Sequence, residues 1–143
     1  MRYDEAEITL RECLAISREQ QREAMVAFTL ELFATVAAAD RPRLEPEFRL
    51  AMRRRGARLL GFVDKFFATS GHVPRGPIHQ QDYELLAGSL HEALGAETLA
   101  KLLHEGAAMT EDQAVAYAET VFEIEERSAD VRYAAVKEKG PAR

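Results

Sequence analysis

Met25-Val26-Ala27-Phe28-Thr29-Leu30-Glu31-Leu32-Phe33-Ala34-Thr35-Val36 is the stretch on which the fold turns. Thr29, Glu31 and Thr35 interrupt an otherwise apolar run, which is too short and too polar to span a bilayer. The spacing predicts a helix from about Arg22 to Ala39, with Met25, Phe28, Leu32, Val36 and Ala39 down one side. Because it is apolar over most of its circumference, it is expected at the centre of an all-α domain.

Outward from this stretch, apolar residues recur at helical spacing and no segment alternates with period two. A first helix is predicted over residues 4–20, with Tyr3, Ala6, Leu10, Cys13, Leu14 and Ser17 on its inward side. Asp40-Arg41-Pro42 ends the central helix, and Pro46 suits the first turn of a third, running from Glu45 to Ala68. Phe48, Ala51 or Met52, Leu59, Phe62, Val63 and Phe66 face inward there. Gly56 and Gly61 lie inside this helix, where each costs about 1 kcal/mol against Ala, so a bend or a close helix crossing is expected.

Thr69 to Pro77 holds two glycines and two prolines, and reads as a loop with Gly71 in the left-handed region. A fourth helix follows from about Ile78 to Leu94, with Tyr83, Leu86, Leu90 and Leu94 as its stripe. Gly95 ends it, and a fifth covers Ala96 to Glu105 before Gly106. Thr110-Glu111-Asp112-Gln113 is a capping box that opens a sixth helix carrying Ala114, Tyr117, Ala118, Val121 and Phe122. That helix is expected to continue past Ala135 before Gly140-Pro141.

The 143 residues fit one domain, and 47% hydrophobic with 30% charged residues is a globular balance. A chain of this length buries roughly two-thirds of its unfolded surface without needing a disulfide or metal. The lone Cys13 excludes an internal disulfide and favours a reducing cytoplasm. Asp4 and Glu5 stand where a signal peptide would be basic, so the expected location is cytoplasmic. The expected organisation is a single domain over 1–143, with repeat-like helices over 4–69 and C-terminal capping helices over 78–138.

Tyr3-Asp4-Glu5-Ala6 with Leu10, Leu14 and Ile16 resembles the second helix of a tetratricopeptide repeat. Further on come Arg58-Leu59-Leu60-Gly61, Tyr83-Glu84-Leu85-Leu86, Leu94-Gly95-Ala96-Glu97, Glu105-Gly106 and Met109-Thr110-Glu111-Asp112-Gln113-Ala114-Val115. This succession is similar to the C-terminal helical-repeat region of bacterial AfsR, LuxR and MalT-like transcriptional regulators and predicted signalling ATPases. The resemblance covers most of residues 3–125. It implies five to six antiparallel helices in a short right-handed tetratricopeptide-like stack that contacts other proteins or senses an effector. Catalytic and DNA-reading domains lie elsewhere in such regulators. On this alignment the chain begins at the second helix of a pair, and a repeat cannot bury its apolar face alone. The chain is thus expected to be either a fragment of a longer regulator or a stand-alone module whose first helix is covered by another copy. Tyr3, Ile8, Leu10 and Leu14 are the expected contact residues, with Arg49, Arg53 and Arg54 in second rank.

Catalytic chemistry finds little support in the residues. His91-Glu92 and His104-Glu105 begin like a zinc-protease helix, but Gly95 and the residues after Gly106 supply no second imidazole. His72 and His79 flank the proline loop without accompanying acids or thiols, and read as solvated. Cys13 reads as a small buried thiol, and the Gly71 to Gly76 spacing lacks the Lys and Ser/Thr of a phosphate loop. No enzyme, metal or cofactor is expected.

Charge is unevenly distributed. Residues 41–58 hold seven arginines against Glu45 and Glu47, a local net of 7 − 2 = +5. Residues 111–130 hold seven acids and Arg127, a local net of 1 − 7 = −6. The whole chain carries −5, and no aromatics interleave with the arginines to stack bases. An internal or intersubunit match between the third and sixth helices is therefore expected over nucleic-acid binding. The function expected from the sequence is a non-catalytic regulatory module for a protein partner or a homodimer, with no membrane contact. The alternative is an effector-sensing domain with a pocket near Phe62, Phe66 and Tyr83.

Overall fold

A computed structural model describes residues 3–71 and 75–139, and His72 lies outside them. The described residues form six α-helices: α1 (Tyr3–Glu19), α2 (Glu23–Ala38), α3 (Pro46–Thr69), α4 (Pro77–Leu94), α5 (Ala96–Ala107) and α6 (Glu111–Lys139). No strand occurs among them. No helix among the described residues is long and apolar enough to cross a membrane.

The central position of α2 follows from its composition. Val26, Ala27, Leu30, Phe33, Ala34 and Ala37 are all buried, so neighbours close around most of the helix. α1, α3, α4 and α6 each pack on it. Phe33 meets Phe122 of α6 edge to face at 5.7 Å, which ties the central helix to the last one.

α3 resolves the question posed by its glycines through close crossings. Gly56 faces α2, where an added Cβ would lie 3.1 Å from the Ala34 carbonyl oxygen. Gly61 lies against the backbone of Leu103, and Gly106 against that of Arg58, so α3 and α5 run antiparallel with their main chains in near contact. A methyl group at Gly61 or Gly106 would overlap a carbonyl oxygen of the facing helix.

The connections use the predicted chemistry. Gly71 has φ 73°, within the left-handed region. Gly95, with φ 82°, separates α4 from α5. In the capping box, the Gln113 N–H donates to Thr110 Oγ1 at 3.2 Å, and the Thr110 N–H donates to Gln113 Oε1 at 2.9 Å.

The structure corrects the reading of α1. Leu10 and Leu14 are 7% and 3% exposed and belong to the shared core, so they are not free contact surface. Tyr3 is half-buried, with the Arg41 guanidinium 3.5 Å above its ring centre. Arg41 itself is buried, as is Leu44, so the α2–α3 connection folds back as a cover for the start of α1. At the other end, Arg18 pairs with Asp112 and lies 3.8 Å from Glu111 at the start of α6. Cys13, expected inside, is exposed. The unsealed side of α1 is the opposite one, where Ile8 and Ile16 face solvent.

Candidate functional site

A concavity of about 450 Å³ lies between α2 and α4. α2 contributes Phe28, Glu31, Leu32 and Thr35, and α4 contributes His79, Asp82, Tyr83, Leu85, Leu86 and Ser89. Ala38, Ala39 and Asp40 close one end. Each helix reaches the groove with the side that its packing leaves over. α4 turns Leu86 and Leu90 into the core, which leaves Leu85 and Ile78, seven residues apart, on a common outer side. Leu85 is 68% exposed and Ile78 74%, while Leu32 and Met25 on α2 are exposed to a lesser degree.

A charge cluster sets the floor. Glu31 is buried, and Arg75, from the segment before α4, donates to its Oε1 from Nε at 3.0 Å and from Nη2 at 2.7 Å. The same guanidinium stacks 4.2 Å from the Tyr83 ring centre and 4.8 Å from that of Phe67. Asp64 of α3 lies 3.8 Å from Arg75 and accepts the Tyr83 hydroxyl at 3.0 Å. Burial pushes the Tyr83 phenol up to about 12, and the neighbouring Asp64 carboxylate adds to the shift. Burial likewise raises Asp64, against the opposing pull of the Tyr83 hydrogen bond and of Arg75. With Glu31 held by Arg75, the rim carboxylates Asp40 and Asp82 leave the groove edge negative.

A second cluster joins three helices on another face. Arg58 of α3 donates from Nε to Glu105 of α5 at 2.8 Å and from Nη1 to the Tyr117 hydroxyl of α6 at 2.8 Å. Its hydrogen bond holds the Glu105 carboxyl below its usual range. Arg55 lies 5.2 Å from the Tyr117 ring centre. The expected charge match therefore takes a different route. α3 meets α6 through Tyr117, while the acids opening α6 meet Arg18 of α1.

The remaining predicted residues divide as follows. Tyr83 lines the groove. Phe62 and Phe66 are half-buried elsewhere, with Phe66 edge-on to Phe67 at 5.4 Å, so they do not line it. Arg49 and Arg53, one turn apart and half-buried, share a side of α3, while Arg54 is exposed on a different side. His79 is exposed in the first turn of α4, and its ring lies tilted against that of Phe28 with centres 4.8 Å apart. Among the described residues, no group of three or more His, Cys, Asp or Glu could hold a metal ion.

Sequence reading missed Glu31, Asp64 and Arg75 as a unit. The available signal was a lone carboxylate within an apolar helix, which must find a cation when the helix is buried. Comparison with models of protein families, with curated proteins and with solved structures returns no match.

Proposed function

We propose that the chain is a non-catalytic regulatory module that docks a helix of another polypeptide into the groove between α2 and α4. The observation that carries this reading is the exposure of Leu32 and Leu85 on the groove's apolar walls, with Ile78 exposed further along α4, while most other large apolar residues among those described pack inward. A helix laid there would bury its own apolar stripe against this line, in the helix-in-groove mode. The reading keeps the interaction role that the repeat resemblance implies, together with its tetratricopeptide-like pairing of helices and its setting in transcriptional regulators or signalling ATPases. It moves the contact from α1 to α2 and α4.

A photoreactive residue placed at 85, and separately at 8, tests it inside cells. The expected result is a discrete adduct from position 85 that disappears with Leu32→Asp, and none from position 8. Adducts only from position 8 would overturn the reading.

The groove volume favours one alternative, a small effector, since about 450 Å³ falls within the range of small-molecule sites. A metabolite that raises the melting temperature at every protein concentration, and loses that effect in Leu86→Asn, would support the effector reading.

A further inference from the structure

The end of α6 has the chemistry the groove calls for. Among the residues of α6 whose burial is described, the last in the core is Ile124, 1% exposed, and the helix continues to Lys139. These fifteen further residues extend about 22 Å at the α-helical rise. Tyr133 is 72% exposed, and Ala134 and Ala135 are exposed beside it. In sequence, Ala129, Tyr133 and Val136 follow at steps of four and three, a narrow apolar stripe. Arg132, Lys137 and Lys139 accompany it against Asp130 and Glu138, so residues 129–139 carry 3 − 2 = +1.

The groove is the complement in both respects. Its walls are Phe28, Leu32, Leu85 and Leu86, and its rim carries Asp40 and Asp82. An apolar stripe with basic flanks satisfies the walls and the rim together, whereas an acidic helix would meet like charge. We propose that the groove receives the C-terminal segment of α6 from a second copy of this chain, and that two copies exchange these segments reciprocally as a homodimer. A two-fold arrangement of this kind closes on itself, because the groove and the segment of each copy are both engaged within the pair. The inference rests on the docking reading and names its occupant.

Sedimentation velocity on the full chain, from micromolar to hundred-micromolar concentration, tests it. The wild type is expected to be a dimer that weakens as salt rises, because the rim charges are exposed. Tyr133→Asp spoils the segment and Leu85→Asp spoils the groove. Both residues are exposed, so both variants should keep the wild-type helical circular dichroism. Each variant alone is expected to weaken dimerisation at least about tenfold. An equimolar mixture should recover association, since the groove of the first variant and the segment of the second remain intact. A wild type that stays monomeric throughout overturns the second-copy assignment while leaving the cross-linking test of the groove intact. A dimer unaffected by Leu85→Asp overturns the assignment and counts against the groove as well. A mixture that associates no better than its components also overturns reciprocal exchange.

Discussion

Arg75 is the residue whose removal leaves the most uncompensated. Its side chain is 12% exposed and that of Glu31 8%, so among the described residues the carboxylate takes its charge balance from this guanidinium. Arg75→Met is expected to destabilise the fold by about 3 kcal/mol, because a buried charge loses its partner. The double change Arg75→Met with Glu31→Met should restore most of the loss, since an apolar pair carries no desolvation penalty. Urea unfolding of the single and double variants measures both. Tyr83 supplies a spectroscopic reading of the same cluster. Its phenol holds its proton more tightly folded than unfolded, so its contribution to stability is present below about pH 10 and is lost as pH rises through about 12. Ultraviolet titration should show a late tyrosine step near pH 12 that is absent in Tyr83→Phe. A wild-type profile identical to that of Tyr83→Phe would dissolve the cluster. None of this was legible from Arg75 in the sequence, where it stood as one polar residue among loop-forming glycines and prolines. Which cation meets Glu31 is decided by α3 and α4 packing on α2, and neighbours along the chain do not encode it.

At the scale of elements, the helices themselves were legible, because periodicity, Pro46, Gly95 and the Thr110 box are local signals. Gly61 and Gly106 add a tertiary one. Each costs helix propensity, and each is repaid by a backbone approach that only glycine permits. Gly61→Ala and Gly106→Ala are expected to destabilise by about 3 kcal/mol, the upper part of the range for overpacked sites. Gly88→Ala is the control. It sits inside α4 with nothing within 4 Å of an added Cβ, so it should stabilise by about 0.5–1 kcal/mol. Thermal unfolding of the three variants decides the point; equal effects at Gly61 and Gly88 would contradict the crossing. The inward and outward sides of α1 were only partly legible. Leu10 and Leu14 announce an apolar stripe, but its cover comes from α2, from the Arg41 connection and from α6, whose first turn lies more than ninety residues on. Spacing identifies which side of a helix wants cover, and it cannot say whether the same chain supplies it.

For the whole molecule, the consequence is a change of address for any partner. A chain read as lacking half of a helix pair closes that side with its own residues, and its exposed apolar line runs along α2 and α4 instead. Ile8 and Ile16 are also exposed on α1, flanked by Arg11, Glu12 and Glu19, so both faces are accessible and a direct comparison is possible. The deciding measurement is sedimentation equilibrium of two double variants, Leu32→Asp with Leu85→Asp and Ile8→Asp with Ile16→Asp. The groove variant is expected to raise the dimer dissociation constant at least about tenfold, equivalent to about 1.4 kcal/mol, and the α1 variant to leave it unchanged. Loss of association in the α1 variant with the groove variant unaffected would contradict the account.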